Sequence, residues 1–291
     1  MKQFFLFLVA IALPSCMQNP FLSRADAIRE LGGGQPLSYA EAIRSDGLWG
    51  TFRGELFGSP QSVSFVRFRP GAYTLNVVSA EGPAADSTST LCLQHEAVAG
   101  INGSYFDMQQ LTSVTYLKDD GFVVNASTSQ EELFRTNGAV LLGNGIIRID
   151  AAGTSPWDGW REVMASGPIL LDEGVRAAYT EGISGWEDFY AKRHPRSMIG
   201  TDGEGYVWLV VVDGRAEGQA TGMSISELTE LAHLMGLTDA LNLDGGGSST
   251  LWTLSGGVVN HPCDNGKFDA DGQRVVPSIL ALQPVSIGPE K

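Results

Sequence analysis

The chain has 291 residues, with 33 acidic against 19 basic side chains and a formal net charge of −14. That balance excludes a reader of nucleic-acid backbones, which needs a basic stripe, and 43% hydrophobic with 18% charged residues excludes wholesale disorder. Glycine, at 36 residues, stands well above the roughly 7% of an average protein, so many tight turns and short strands are expected.

Behind Lys2, the apolar run from Phe4 to Leu13 is about half of the roughly twenty residues a membrane-spanning helix needs, and it reads as an export signal. Leu13-Pro14-Ser15-Cys16 resembles the bacterial lipoprotein signal. Residues 1–15 are then the cleaved segment, and Cys16 is the lipid attachment site that ties the protein to the cell envelope, facing the periplasm or the surface. The alternative is an ordinary secretory signal with Cys16 incidental. No later stretch is long and apolar enough to span a bilayer, so the membrane is met through the lipid alone. Cys92 and Cys263 remain open between a disulfide and two buried thiols.

Residues 16–60, with a short helical pattern over 39–44, read as tether and N-terminal elaboration, and 61–287 as the main folded domain. Strands are expected over 62–69 and 73–78. A hairpin is expected where 139–142 and 146–149 flank Gly143-Asn144-Gly145, and a second joins 197–200 to 206–212. The wholly apolar Val207 to Val212 predicts a strand covered on both faces. Ser224 and Glu227 form a capping-box pattern ahead of Ile225, Leu228, Leu231, Ala232 and Met235, and Gly236 ends that helix. A strand over 239–243 follows. Many strands, few helices and no βαβ rhythm predict a single α+β domain with a mixed, largely antiparallel sheet core.

That last strand runs into Asp244-Gly245-Gly246-Gly247-Ser248-Ser249. Alternation puts Asn242 and Asp244 on one side and Leu241 and Leu243 on the other. The glycine amides can approach an anionic oxygen, with Ser248 and Ser249 as hydroxyl donors, so the loop is an anion cradle beside a carboxylate; the plain alternative is a glycine hairpin with a solvated aspartate. The lysine of a Walker loop is missing. Asn102 and Asp107 close another strand, within Ile101-Asn102-Gly103-Ser104-Tyr105-Phe106-Asp107. Arg196 precedes a strand, where a guanidinium can hold phosphate through two nitrogens. Asp213-Gly214-Arg215 follows the Val207 to Val212 strand, and Arg274 precedes the final one. Turn formation by Asn102 and Asp213, and surface ion pairing by Arg196 and Arg274, are the alternatives. The segment 267–278 lacks the calcium ligands of an EF-hand, the four histidines lack zinc spacing and no GxSxG elbow occurs, so neither a metal nor a cofactor is called for.

The blocks Asn242 to Ser249, Ile101 to Phe106, Ser166-Gly167-Pro168-Ile169-Leu170, Arg196 to Gly200, Asn260-His261-Pro262 and Arg274-Val275-Val276 together resemble the phosphodiester glycosidase family. Ser197-Met198 stands where that family more often has Thr-Ala, and Tyr105 where phenylalanine is commoner. The resemblance implies hydrolysis of a sugar-1-phosphodiester at the glycosidic bond. Arg196, the amides of Gly245, Gly246 and Gly247, and Ser248 or Ser249 would hold the phosphate, with Arg274 in support. Asp244 would activate water or attack the anomeric carbon, Asn102 and Asn242 would position sugar hydroxyls, and Asp107 or Asp213 would be the candidate second carboxylate. A phosphodiesterase breaking the phosphorus–oxygen bond and a non-catalytic glycan-binding lipoprotein are the competing readings. The partner is a glycan or sugar phosphodiester; oligomeric state is not legible.

Overall fold

The computed structural model describes residues 48–126, 135–151, 157–178 and 187–285. The signal-type segment, Cys16 and the helical pattern at 39–44 lie outside them. Three antiparallel sheets make the body. The largest has seven strands in the spatial order Leu48–Leu56, Ser59–Phe68, Val207–Val212, Arg196–Asp202, Leu237–Asn242, Ile169–Asp172 and Val175–Arg176. A five-stranded sheet runs Ile146–Ala151, Gly138–Gly143, Glu162–Ser166, Leu117–Asp119 and Phe122–Asn125. Another five-stranded sheet runs Gly257–Val258, Leu251–Thr253, Ala99–Asn102, Ser278–Pro284 and Tyr73–Ser79. With only short helices beside them, this is the expected α+β class.

Alternation decides which face each side chain serves. Val207, Leu209 and Val211 enter a central core shared by all three sheets, where Ile101, Val140, Met164, Leu241, Leu243 and Leu280 meet them. Trp208, Val210 and Val212 point the opposite way, onto Ile225, Leu228, Leu231 and Ala232 of helix Ile225–Leu234. That strand is therefore covered on both faces, as its unbroken apolar run predicts. Fully burying one such aliphatic side chain stabilises the fold by about 1.5–3 kcal/mol. The helix starts on the Ser224/Glu227 capping box and stops at Gly236, whose φ of +74° suits a residue without Cβ.

Asn144 and Gly145, both at positive φ, form the two-residue turn between Gly138–Gly143 and Ile146–Ala151. The second hairpin turns on Asp202, whose Oδ1 accepts from the amides of Glu204 and Tyr206. Two elements were not anticipated. Leu48–Leu56 pairs along its full length with Ser59–Phe68, so the large sheet includes chain assigned above to the N-terminal elaboration, upstream of the boundary at residue 60. Helix Thr88–Gln94 opens on the weak helix formers Thr88, Ser89 and Thr90 and is held by its Ser87 cap and by burial of Leu91 and Cys92. The outer edge of strand Tyr73–Ser79 is covered by carboxylates from the neighbouring sheet: the Val77 amide donates to Glu162 and the Ser79 amide to Asp119.

Candidate active site

The glycine loop is a crossing between two sheets. Strand Leu237–Asn242 leaves the large sheet with the Leu243 amide on Ser197 O (2.8 Å). The Asp244 amide then donates to Gly103 O (3.1 Å), at the end of strand Ala99–Asn102, and the chain enters Leu251–Thr253, which pairs with that strand. The carboxylate of Asp244 is thus delivered to the seam where both sheets end.

Two asparagines fix that seam. Asn102 is fully buried; its Oδ1 accepts from Ser197 Oγ (2.7 Å) and the Thr250 amide (3.1 Å), and its Nδ2 donates to Asp244 O (2.7 Å) and Gly103 O (3.3 Å). Asn242 donates from Nδ2 to Gly167 O, Leu243 O and the Tyr105 hydroxyl. Asn102 is committed inside the protein through both ends of its amide, which leaves it no group for the expected contact with sugar hydroxyls, whereas Asn242 is committed through Nδ2 only. They position the backbone that carries Asp244.

The two candidates for a second carboxylate are also structural. Asp213 is buried and accepts from Ser62 Oγ, Asn260 Nδ2 and the His261 amide, while its Oδ2 meets His261 Nδ1 at 2.7 Å. Arg53 approaches the other ring nitrogen of His261 at 2.7 Å. Arginine only donates, so Nε2 accepts and Nδ1 carries the proton that Asp213 receives. Asn260 also donates to Ser249 O, so Asp213 buttresses the loop from behind. Asp107 Oδ1 accepts from the amides of Gln109 and Gln110 and forms a turn.

The glycines answer to protein neighbours. A Cβ at Gly245 would lie 2.7 Å from Pro195 O. Gly246 has φ +63°, and a Cβ there would lie 3.1 Å from Arg215 Nη2. At Gly247 it would lie 2.1 Å from Asp264 Oδ1 and 2.3 Å from Arg274 Nη2. The amides of Gly245, Gly246, Ser248 and Ser249 bind Asp244 Oδ1, Pro195 O, Gly245 O and Gly246 O. The expected cradle of loop amides is therefore closed at those four positions. Instead, the hydroxyls of Ser249 and Thr250 and the Asn242 Oδ1 are buried with no hydrogen-bond partner among the described residues.

Positive charge gathers on this loop in an otherwise acidic protein. Arg196 is buried beneath Gly245, with Nε on Met223 O (2.9 Å) and Nη2 on Phe189 O (2.6 Å) and Lys192 O (3.2 Å). No carboxylate pairs with it among the described residues, and burial pulls its guanidinium down to about 10. Two of its nitrogens are engaged by main chain, so its role is largely to hold the floor of the site. Arg215, exposed and at φ +60°, lies over Gly246 and reaches His194 Nδ1 (3.5 Å) and Cys263 Sγ (3.8 Å). A non-glycine residue held in the left-handed region marks a constrained position. Arg274 lies over Gly247 and grips Asp264 through Nε and Nη2. Arg135 stacks on Phe189 and, with Arg274, favours the ionised form of Asp244.

Burial nevertheless dominates at Asp244 and pushes its carboxyl up to about 6; hydrogen bonds from the Ser248 hydroxyl and the Gly245 amide act in the opposite direction. Tyr105, buried beside Asp244, donates to Gly167 O (2.5 Å), and burial and the Asp244 charge both raise its phenol. Arg135 and Tyr105 were not among the candidate residues; Arg215 was noted only as part of its tripeptide. Cys92 and Cys263 are free: Cys92 is buried against Gly100, where burial pushes its thiol up to about 12, and Cys263 lies at the loop beside Arg215.

This geometry has relatives. The profile of the phosphodiester glycosidase family matches residues 95–283, more than half of the chain and the whole of the seam just described. The chain belongs to the phosphodiester glycosidase family. Human N-acetylglucosamine-1-phosphodiester alpha-N-acetylglucosaminidase is 26% identical over 208 residues, 70% of this chain and 33% of that protein. The mouse enzyme of the same name is 27% identical over 152 residues, 51% of this chain and 26% of its own. The chain thus spans about a quarter to a third of these curated relatives. Its fold matches the catalytic domain of the zebrafish enzyme with a TM-score of 0.68 at 17% identity, covering 82% of this chain and 84% of that one. A protein from Burkholderia pseudomallei matches at 0.57, with 17% identity and coverage of 78% and 75%.

Proposed function

We propose that this protein is a hydrolase that cleaves the glycosidic bond of a sugar-1-phosphodiester, releasing free sugar and a phosphomonoester. The observation that carries the reading is Asp244: a carboxyl raised to about 6, on a loop flanked by Arg215 and Arg274 and underlain by Arg196. Near pH 7 such a group is mostly ionised yet still basic, which suits it to take a proton from water or to attack the anomeric carbon. The C1–O bond breaks and its electron pair moves to the phosphate oxygen. Arg215 and Arg274 meet that developing charge, so departure needs charge stabilisation more than a strong general acid. That fits a site in which Asp213 and Asp107 are both bound up elsewhere. The unpartnered hydroxyls of Ser249 and Thr250 are the remaining groups for substrate or water oxygens.

The name of the human and mouse relatives points to an N-acetylglucosamine-like sugar. The signal-type N-terminus and Cys16 support an exported, lipid-anchored protein of the cell envelope. The test is turnover of a panel of sugar-1-phosphodiesters by the wild type and Asp244→Asn. Hydrolysis by the wild type and none by a folded variant is expected; equal turnover would remove Asp244 from the chemistry.

A further inference from the structure

Cys263 and Asp264, adjacent in sequence, touch different arginines of the loop. Cys263 Sγ accepts from Arg215 Nη1 at 3.8 Å, and Asp264 takes Arg274 through two parallel bonds, Nε to Oδ2 at 3.0 Å and Nη2 to Oδ1 at 2.6 Å. This pair sits directly on Gly247, so close that a Cβ there would collide with both partners. Two oxygens of a planar anion thus occupy the guanidinium fork above the glycine loop, the arrangement in which arginine also binds phosphate. Asp264 keeps 36% of its side-chain surface in water and Arg274 keeps 20%, so the carboxylate has an open route into solvent.

Resting on the proposed function of this site, we propose that Asp264 is a built-in competitor for the phosphate fork of Arg274, and that substrate phosphate binds by displacing its carboxylate. A tethered anion acts at high effective concentration, on the order of millimolar or above. A free monoanion making only the Arg274 contact therefore loses to Asp264. A phosphodiester that also reaches Arg215 and places its sugar at Asp244 wins, so Asp264 sets specificity for the complete substrate over small anions. Were Asp264 merely a support that orients Arg274, its removal would weaken anion binding; the two roles predict opposite signs.

The experiment is calorimetric titration of the full chain with inorganic phosphate, for the wild type, Asp264→Asn, Asp264→Ala, Arg274→Gln and the double variant Asp264→Asn/Arg274→Gln, with melting curves alongside. Both Asp264 variants are expected to bind phosphate at least threefold more tightly, with the gain abolished when Arg274 is also changed. A smaller gain, weaker binding, a gain that survives loss of Arg274, or failure of both Asp264 variants to fold would overturn the proposal. Phosphate binding requires no turnover, so the expected pattern in a protein that hydrolyses no sugar phosphodiester would defeat the proposed function and leave the competitor role standing. Turnover without the pattern would do the reverse.

Discussion

Substitution of Asn102 by alanine separates positioning from substrate contact. The side chain makes four hydrogen bonds, two accepted and two donated, three of them buried and the one to Asp244 O part-buried, tying Ser197, Thr250, Gly103 and Asp244 together. A typical bond contributes about 1 kcal/mol net, and each buried group left without a partner costs about 1–3 kcal/mol. Gly103 O retains the Asp244 amide and Ser197 Oγ can rotate, so the orphaned groups are chiefly the Thr250 amide and Asp244 O. The expected loss is about 4 kcal/mol of folding stability, or a melting temperature lower by about 10 °C in a domain of this size. Urea unfolding and thermal melts measure it directly. Turnover should fall through kcat, because the backbone carrying Asp244 is released. Stability within about 0.5 kcal/mol of wild type, together with a raised KM, would refute the positioning role and return Asn102 to the substrate.

The loop glycines should separate fold from activity. Gly245→Ala drives a methyl group against the Pro195 carbonyl and should cost about 1–3 kcal/mol of stability, whereas Gly247→Ala meets only the movable ends of Asp264 and Arg274 and should lower kcat/KM with a small change in melting temperature. Equal stability losses in urea unfolding would contradict that division. Glu162, buried beside Val77 and near Asp119, has its carboxyl pushed up to about 7 by burial. A folded-state value above the unfolded one means that the stability it contributes is full below about pH 4.5 and is lost as pH rises through 7. Glu162→Gln should therefore flatten the decline of stability between pH 5 and 8 by about 2 kcal/mol after allowance for solvent screening; an unchanged slope would contradict it. With Asp244 acting as a base, kcat/KM should rise with pH through about 6, and a rate that falls over that range would reassign it as the proton donor.

Local patterns carried the fold a long way. The turn at Asn144-Gly145, the Ser224/Glu227 capping box and the doubly covered Val207 to Val212 all rest on neighbours within one or two turns of chain. Leu48–Leu56 escaped because Gly50 and Gly54 thin out its apolar face, and helix Thr88–Gln94 because tertiary burial of three residues overrides the weak propensity of its first turn. The glycine loop was legible as a candidate site, and its carboxylate follows the end of strand Leu237–Asn242 by two residues. The roles around it were less so. Asn102, Asn242 and Asp213 are residue types that serve equally as ligands or struts, and the choice depends on which backbone groups meet when two sheets converge. Arg196 looked like the phosphate ligand from its place before a strand, yet three main-chain carbonyls surround it. Arg215 carried a local signal, in a glycine-flanked turn after a buried strand, but its positive φ and its place over Gly246 are visible only in three dimensions.

The central claim is which bond breaks. Incubating the protein with a sugar-1-phosphodiester in oxygen-18 water and weighing the products decides it: attack at the anomeric carbon beside Asp244 puts the label in the released sugar, and label in the phosphate instead would contradict the account and make the protein a phosphodiesterase.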